Sequence, residues 1–385
     1  MITTKTLALL AGLGSLTAWN AVSPQPLRLT DALAEADGRA FANRQARAGS
    51  DGDRARTGLP LRGILPSARV EGGFVRTTDP IGAFGTTLRQ RAVSPAAFDP
   101  ARLNDPAPVN NVLGRLVLEV PVLNTDALAG WKAARIAADA SSALTDWTVI
   151  GTRANVVRAW FGTALAAEQE HMLEEAKRAA EAGVRQVESM VRQGLVTKAD
   201  ALQAGLRAAD IAAQLLDARN GAATGRQQLA MLLGRTSGQA LVVATTLPDD
   251  STLRRIAAVD TASVDAADRA QRLTSREDVR AAGLGVRAAR ADAQRARSSL
   301  FPRLNGFARY DWNSPTTLYA GKPNWTLGVM GSWSLFGGGS ELADVADARA
   351  RARGALAGED AARTNALLEA DAADRAVRVA LERLD

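Results

Sequence analysis

Two neighbouring stretches decide how this chain is read: Arg303-Leu304-Asn305-Gly306-Phe307-Ala308-Arg309-Tyr310-Asp311-Trp312, and then Trp325-Thr326-Leu327-Gly328-Val329-Met330-Gly331-Ser332-Trp333-Ser334-Leu335. In the first, Leu304, Gly306, Ala308, Tyr310 and Trp312 alternate with Arg303, Asn305, Arg309 and Asp311. In the second, Trp325, Leu327, Val329, Gly331, Trp333 and Leu335 alternate with Thr326, Gly328, Ser332 and Ser334. A period of two over ten positions is that of a strand with one apolar face. Strands of about ten residues, apolar on one side and polar on the other, are the pattern of a transmembrane β-barrel wall.

The same alternation recurs twice nearer the N-terminus. Ser67 to Arg76 sets Ala68, Val70, Gly72 and Phe74 against Ser67, Arg69 and Glu71. Val112 to Val122 sets Leu116, Leu118, Val120 and Val122 against Arg115 and Glu119. Any one of these strands also fits a half-buried surface sheet. Four strands fall short of the roughly eight a barrel needs to close, so a barrel built from them must be shared between protomers. Tyr310, Trp312, Trp325 and Trp333 gather near strand ends, where an interfacial aromatic girdle is expected.

The rest of the chain is helical in pattern. From about Asp126 to Gln193 there is no proline, and Leu128, Ala134, Ala138, Leu144, Val149, Val156, Trp160, Ala164 and Leu173 mark apolar stripes. At about 1.5 Å per residue this segment spans roughly 100 Å, which implies a coiled-coil or bundle architecture. Lys198 to Leu233 is a second long helix, separated only by Gly194-Leu195-Val196-Thr197, so the pair should form an antiparallel hairpin. Further helices are expected over Ser275–Leu300 and from Ser340 to the C-terminus. The abundant alanine favours close helix packing; a high-GC codon bias also inflates alanine, and both are expected to contribute. Gly49, Gly52, Gly58 and Pro60 are expected to interrupt a helix over Thr30 to Leu65.

Composition removes several function classes. The 385 residues include no cysteine, which excludes disulfides, thiolate metal sites, a cysteine nucleophile and a lipidated N-terminal cysteine. The one histidine, His171, excludes multi-histidine metal sites and is expected to be a solvated helix residue. The net charge of +6 comes from interleaved signs, as in Glu174, Glu175, Lys177, Arg178, Glu181 and Arg185, which is a solvated helix face and not a phosphate-binding stripe. The carboxylates lie on such faces without a convergent partner, so no enzyme is expected. Gly337-Gly338-Gly339 lacks the Lys-Ser/Thr of a phosphate-binding loop. Its glycines suit a sharp bend from strand to helix.

At the N-terminus, Lys5 precedes an apolar run from Leu7 to Trp19, with Ala18 or Ala21 at a cleavage-like site, which is the form of a secretory signal. Inside the chain, Leu113-Gly114 matches Leu327-Gly328 and Ala134-Arg135 matches Ala348-Arg349, both at an offset of 214 residues. Ile64-Leu65-Pro66 and Leu300-Phe301-Pro302 each lead into a strand. Each half therefore reads helix, strand, loop, strand, helix.

This order, with the motifs that punctuate it, resembles the TolC-like outer-membrane efflux protein family. Leu27-Arg28-Leu29-Thr30-Asp31-Ala32-Leu33 is similar to the family's mature N-terminal start. Arg276-Glu277-Asp278-Val279-Arg280-Ala281-Ala282, continuing into Leu300-Phe301-Pro302-Arg303-Leu304, resembles the helix that delivers the third strand. Trp333-Ser334-Leu335-Phe336-Gly337-Gly338-Gly339 resembles the corner from barrel to helix, and Gly194-Leu195-Val196-Thr197-Lys198-Ala199-Asp200 the periplasmic hairpin tip.

The resemblance implies an α+β membrane protein: long α-helical coiled-coil hairpins forming a helical barrel, plus four β-strands per protomer in a shared trimeric 12-stranded β-barrel. It implies a signal peptide over 1–21, a first structural repeat over 22–235, a connecting equatorial segment over 236–274, and a second repeat over 275–385. The expected function is a passive outer-membrane exit duct for efflux or type I secretion. It would be a homotrimer in outer-membrane lipid with a long periplasmic extension. A periplasmic membrane-fusion adaptor would join it to an inner-membrane efflux pump or ABC exporter. No cofactor, metal or nucleic acid is expected. Gly194, Leu195, Val196, Thr197 and Asp200 would form the adaptor-docking tip. On the 214-residue offset a second tip would fall about 22 residues past Asp385, so the sequence is expected to be a fragment without the family's second hairpin and its gate residues, the alternative being a protein that makes a leakier tube. The other reading these features allow is a soluble periplasmic helical scaffold with a surface β-sheet; recovery from the outer-membrane or the soluble fraction separates the two.

Overall fold

The computed structural model describes residues 26–236, 241–243 and 273–383. The expected signal segment, 1–21, and nearly all of the connecting segment, 236–274, lie outside the described residues. The chain packs as two units, one of residues 1–41 and 152–248, the other of residues 42–151 and 249–385.

The second unit carries the sheet. Its elements are α2 (Phe41–Arg56), β1 (Ser67–Thr77), α3 (Pro80–Arg89), α4 (Pro100–Asn104) and β2 (Val109–Leu123). The start of α5 (Thr125–Arg192) follows, then α7 (Glu277–Ser298), β3 (Arg303–Ser314), β4 (Lys322–Ser332) and α8 (Ser340–Glu382). All four expected strands form, as one antiparallel sheet in the order β1-β2-β3-β4. β4 is shorter than its alternation suggests: it ends at Ser332, leaving Trp333 and Leu335 outside. Its partner runs out there. Arg303 pairs with Ser332, and Pro302 before it has no amide proton to extend the ladder.

Helix packing in this unit uses small residues. α7 and α8 meet through Ala293, Ala296, Val345 and Ala348. Thirteen of the 25 buried apolar residues among those described are alanine, so the alanine content serves close helix approach whatever its codon origin. The expectation of an interrupted N-terminal helix is corrected in part. Gly49 and Gly52 lie within continuous α2, where a methyl on either would meet open space. Each glycine weakens the helix by about 1 kcal/mol relative to alanine. Contacts to α5 hold it nonetheless: Arg54 donates to the Ser142 hydroxyl at 3.1 Å and Thr145 to the Ala46 carbonyl at 3.2 Å. Gly58 and Pro60 do fall where α2 has ended, at a 3-10 turn.

The first unit comprises α1 (Leu29–Arg39), the remainder of α5, and α6 (Lys198–Leu232). Its core centres on Trp160, only 2% exposed, packed with Ala32, Ala36, Val156, Ala164, Leu229 and Leu233. The indole N–H donates to the Leu27 carbonyl at 3.1 Å, satisfying the ring's one polar group inside the core. Two bidentate ion pairs brace α1: Arg235 on Glu35 at 2.9 and 2.6 Å, and Arg153 on Asp37 at 2.8 and 2.6 Å.

Both long helices of this unit end in the same way. After α5 the Gly194 N–H donates to Val191 O and the Leu195 N–H to Met190 O; after α6 the Gly234 N–H donates to Met231 O and the Arg235 N–H to Ala230 O. Each is a Schellman cap with glycine in the left-handed region, φ 78° and 74°. Their surroundings differ. A methyl on Gly194 would meet nothing within 4 Å, whereas one on Gly234 would lie 2.1 Å from the Arg39 carbonyl oxygen. Gly194→Ala should therefore cost only the left-handed backbone penalty, about 1–2 kcal/mol. Gly234→Ala should disrupt the packing of α1 as well, and thermal unfolding followed by circular dichroism should show a clearly larger loss for the second variant.

Candidate functional site

The register of the sheet brings the four separate alternations into one phase. Val70 pairs with Leu116, Leu116 with Tyr310, and Tyr310 with Trp325; Ala68, Leu118, Ala308 and Leu327 form the next row. Paired residues of an antiparallel ladder point to the same side. The apolar positions of all four strands therefore share one face. Val70, Leu327, Val329 and Trp325 on it are exposed.

The opposite face carries charge. Glu71, Arg115 and Asp311 are directly paired across β1, β2 and β3. Arg115 donates to Asp311 and lies 3.6 Å from Glu71, while Arg69 reaches Glu119 at 3.2 Å. Val117, Phe307 and Met330 also lie on this side, so it is mixed where strict alternation predicts it polar.

The aromatic residues separate into two places. Tyr310 and Trp312 stack edge to face, 4.8 Å between centroids, and Trp325 pairs with Tyr310 near the β3–β4 turn. Trp333 lies past the other end of β4, where its indole N–H donates to the Leu300 carbonyl at 3.0 Å. The structure does not bring it together with the other three.

The glycine corner is built as a sharp reversal. Gly338 and Gly339 have φ of 71° and 84°, a succession that favours glycine. At Gly337 a methyl would lie 2.1 Å from a Glu341 carboxylate oxygen, so a larger residue there would displace that side chain. That carboxylate accepts from the Gly337 N–H at 3.2 Å and the Ser334 hydroxyl at 2.9 Å. These bonds, led by one from its own backbone N–H, hold the Glu341 carboxyl below its ordinary pKa. Sequence reading missed Glu341; the available signal was an acid in the first turn of the helix after the glycines.

At the hairpin tip, Gly194, Thr197 and Asp200 build the turn, and Leu195 joins it through its backbone N–H alone. Gly194 is the Schellman residue. Thr197 caps α6 and forms a capping box with Asp200: the Asp200 N–H donates to the Thr197 hydroxyl at 3.3 Å, and the Thr197 N–H to the Asp200 carboxylate at 2.8 Å. Val196 is half-buried. Leu195 is 65% exposed and has no such bond from its side chain. Beside it the α5 and α6 ends enclose an open groove lined by Val184, Ala201, Leu202, Gly205 and Leu206.

The Thr197 hydroxyl and backbone hold the Asp200 carboxyl below its ordinary pKa. The box therefore contributes fully above the unfolded carboxylate value and is lost as pH falls through the lower folded one. Amide protection at the start of α6 should drop on acidification through that window in the wild type. In Asp200→Ala, protection should already be low at neutral pH and change little; equal pH profiles would remove the box from the account.

His171 is exposed, 3.9 Å from Glu175 one turn on. Among the described residues no group of His, Cys, Asp or Glu is placed to hold a metal ion, and no helix is long and apolar enough to cross a membrane.

The family model described as outer membrane efflux protein matches residues 83–235 and 269–385. No match is found among curated proteins. Among solved structures, CusC superposes with a TM-score of 0.71 at 20% identity, over 92% of this chain and 76% of its own. The Campylobacter jejuni CmeC outer membrane channel gives 0.69 at 17%, over 89% and 68%. The open state of the Neisseria gonorrhoeae MtrE outer membrane channel gives 0.69 at 18%, over 93% and 74%. At these identities the likeness is one of fold.

Proposed function

The chain belongs to the outer membrane efflux protein family, and from that premise we propose that it is the outer-membrane exit duct of an efflux or type I secretion system, a passive conduit with no catalysis of its own. The observation that carries this reading is the shared phase of the sheet: one continuous apolar face, one charged face, and edges at β1 and β4 that pair with no other described strand. An apolar face suits lipid and a charged one a water-filled lumen. Bare edges are untenable in hydrocarbon, where no water satisfies backbone groups. Three protomers, each giving four strands, close a barrel of twelve and remove every edge.

The aromatics fit the same placement. Trp325 lies in β4 and Trp333 one residue past its end; eight residues of extended chain span roughly 26 Å. A strand tilt of 35–45° reduces that to about 20 Å, near the ~25 Å apolar band of such barrels. Gly337, Gly338 and Gly339 form the corner at which barrel becomes helix. Residues 22–235 and 275–385 act as two structural repeats joined by 236–274. The long helices extend the duct into the periplasm, and the tip at Gly194, Leu195, Val196, Thr197 and Asp200 meets a membrane-fusion adaptor that couples the duct to an inner-membrane efflux pump or ABC exporter.

Val329 and Met330 are neighbours, 67% and 61% exposed, on opposite faces. Val329→Arg should lower outer-membrane assembly, since a lipid-facing arginine near mid-membrane costs about 2–4 kcal/mol. Met330→Arg should assemble and change conductance in planar bilayers. Equal tolerance of the two would overturn the assignment of faces. For the tip, Leu195→Asp should abolish adaptor-dependent efflux while trimer and membrane insertion persist; loss of the trimer would make the tip structural only.

A further inference from the structure

The connection between β1 and β2 is not a free loop. α3 runs from Pro80, capped by Asp79, and buries Ala83, Thr86 and the following Gln90. Gln90 donates through Nε2 to the Asn110 carbonyl at 2.8 Å and to Asn111 Oδ1 at 3.0 Å; Asn111 in turn donates to Asn313 Oδ1 at 2.9 Å. Arg91 donates to the Pro323 carbonyl at 2.9 Å, and Asn324 to the Arg89 carbonyl at 3.3 Å. Asn111, Asn313 and Asn324 follow the register of the charged face. The end of α3 is therefore tied to β2, β3 and β4 on that face, at the sheet end remote from α5, α7 and α8. Arg91 is the only described non-glycine residue with positive φ, 55°, a strained backbone of the kind that persists where surrounding contacts over-determine it.

The side of α3 turned away from the sheet is apolar. Ile81 and Leu88 lie opposite the buried stripe and are 86% and 50% exposed. On the reading of the charged face as a lumen, twelve strands about 4.8 Å apart and tilted about 40° enclose a backbone circle roughly 24 Å across. A helix with its side chains is about 10–12 Å wide. Three such helices on the inner wall leave an opening far narrower than the barrel. We propose that α3 is the outer constriction of the duct: three copies meet around the axis through Ile81 and Leu88, forming an apolar collar that sets the size of what leaves. The collar therefore selects against bulky solutes at the mouth.

This rests on the channel reading above, and the test separates the two. The chain has no cysteine, so one introduced thiol is unique. Arg309 lies on the charged face, four residues or roughly 13 Å from Asn313 toward the helices; Leu327 lies on the apolar face. In intact cells a small membrane-impermeant maleimide should label Arg309→Cys and not Leu327→Cys. The opposite pattern overturns the channel reading itself. With that pattern established, a bulky polyethylene-glycol maleimide should label Arg309→Cys about an order of magnitude more slowly than the small reagent does. Replacing Pro80–Arg89 by a short Gly-Ser turn should abolish the difference. Gln90→Ala, which frees the strap from β2 without shortening it, should narrow the difference and serves if the replacement does not assemble. If bulky labelling is already fast in the parent, or unchanged in the variant that assembles, α3 is not the constriction.

Discussion

Backbone groups at a sheet edge must be satisfied, and much of this molecule is arranged around that requirement. Four strands pair in sequence order and leave β1 and β4 with open edges. In water such edges invite aggregation; in lipid an unsatisfied amide costs several kcal/mol with nothing to offset it. A four-stranded sheet with one apolar face can therefore neither stand alone in a membrane nor bury that face within its own chain, since the exposed Val70, Leu327 and Val329 meet no second layer. Closure with other copies answers both problems together. The charged face then needs water, and the ladder of Glu71, Arg115 and Asp311 supplies compensating signs, so no lone charge has to be stripped of solvent.

The helices obey a different economy. Burial within each unit is dominated by alanine, with few large anchors, of which Trp160 is the main one in the first unit. Alanine contributes little transfer energy per residue but lets backbones approach closely along a great length. Stability thus accumulates over many turns, with ends fixed by capping geometry. That is why the two Schellman glycines matter in unequal degree: one reverses the chain in open space, the other beneath the carbonyl of Arg39.

How much of this was legible follows from the range of each signal. Periodicity is local, so the four strands and the long helices could be read to within a few residues. Whether the four apolar faces coincide is a question of register, which alternation within one strand cannot answer. The end of β4 at Ser332 was missed because it depends on Pro302, just before the partner strand begins. Gly49 and Gly52 suggested a break because propensity sees the missing side chain and not the contacts of Arg54 and Thr145 that hold α2 in place. The strap of α3 was invisible for the same reason. Its sequence is a proline-rich connection with a short apolar stretch, and its meaning lies in hydrogen bonds from Gln90 and Arg91 to residues 20 and 232 positions away.

The hairpin tip shows the converse case, a motif that is conspicuous in sequence because folding uses it. Gly194 is fixed by a left-handed backbone, and Thr197 and Asp200 by their reciprocal caps. Those three would be required of this tip whether or not anything ever bound there, so their presence says little about docking. Recognition, if the tip has that role, must fall to what the turn leaves over: the exposed Leu195 and the shallow apolar groove beside it, between Val184 and Leu206. Leu195 joins the α5 cap through its backbone N–H, which any residue but proline supplies; its side chain contributes to neither cap and exposes apolar surface to water for no structural return. The residue least explained by the fold is thus the one on which a partner's specificity should chiefly depend, while the residues that make the motif recognisable only hold it in position.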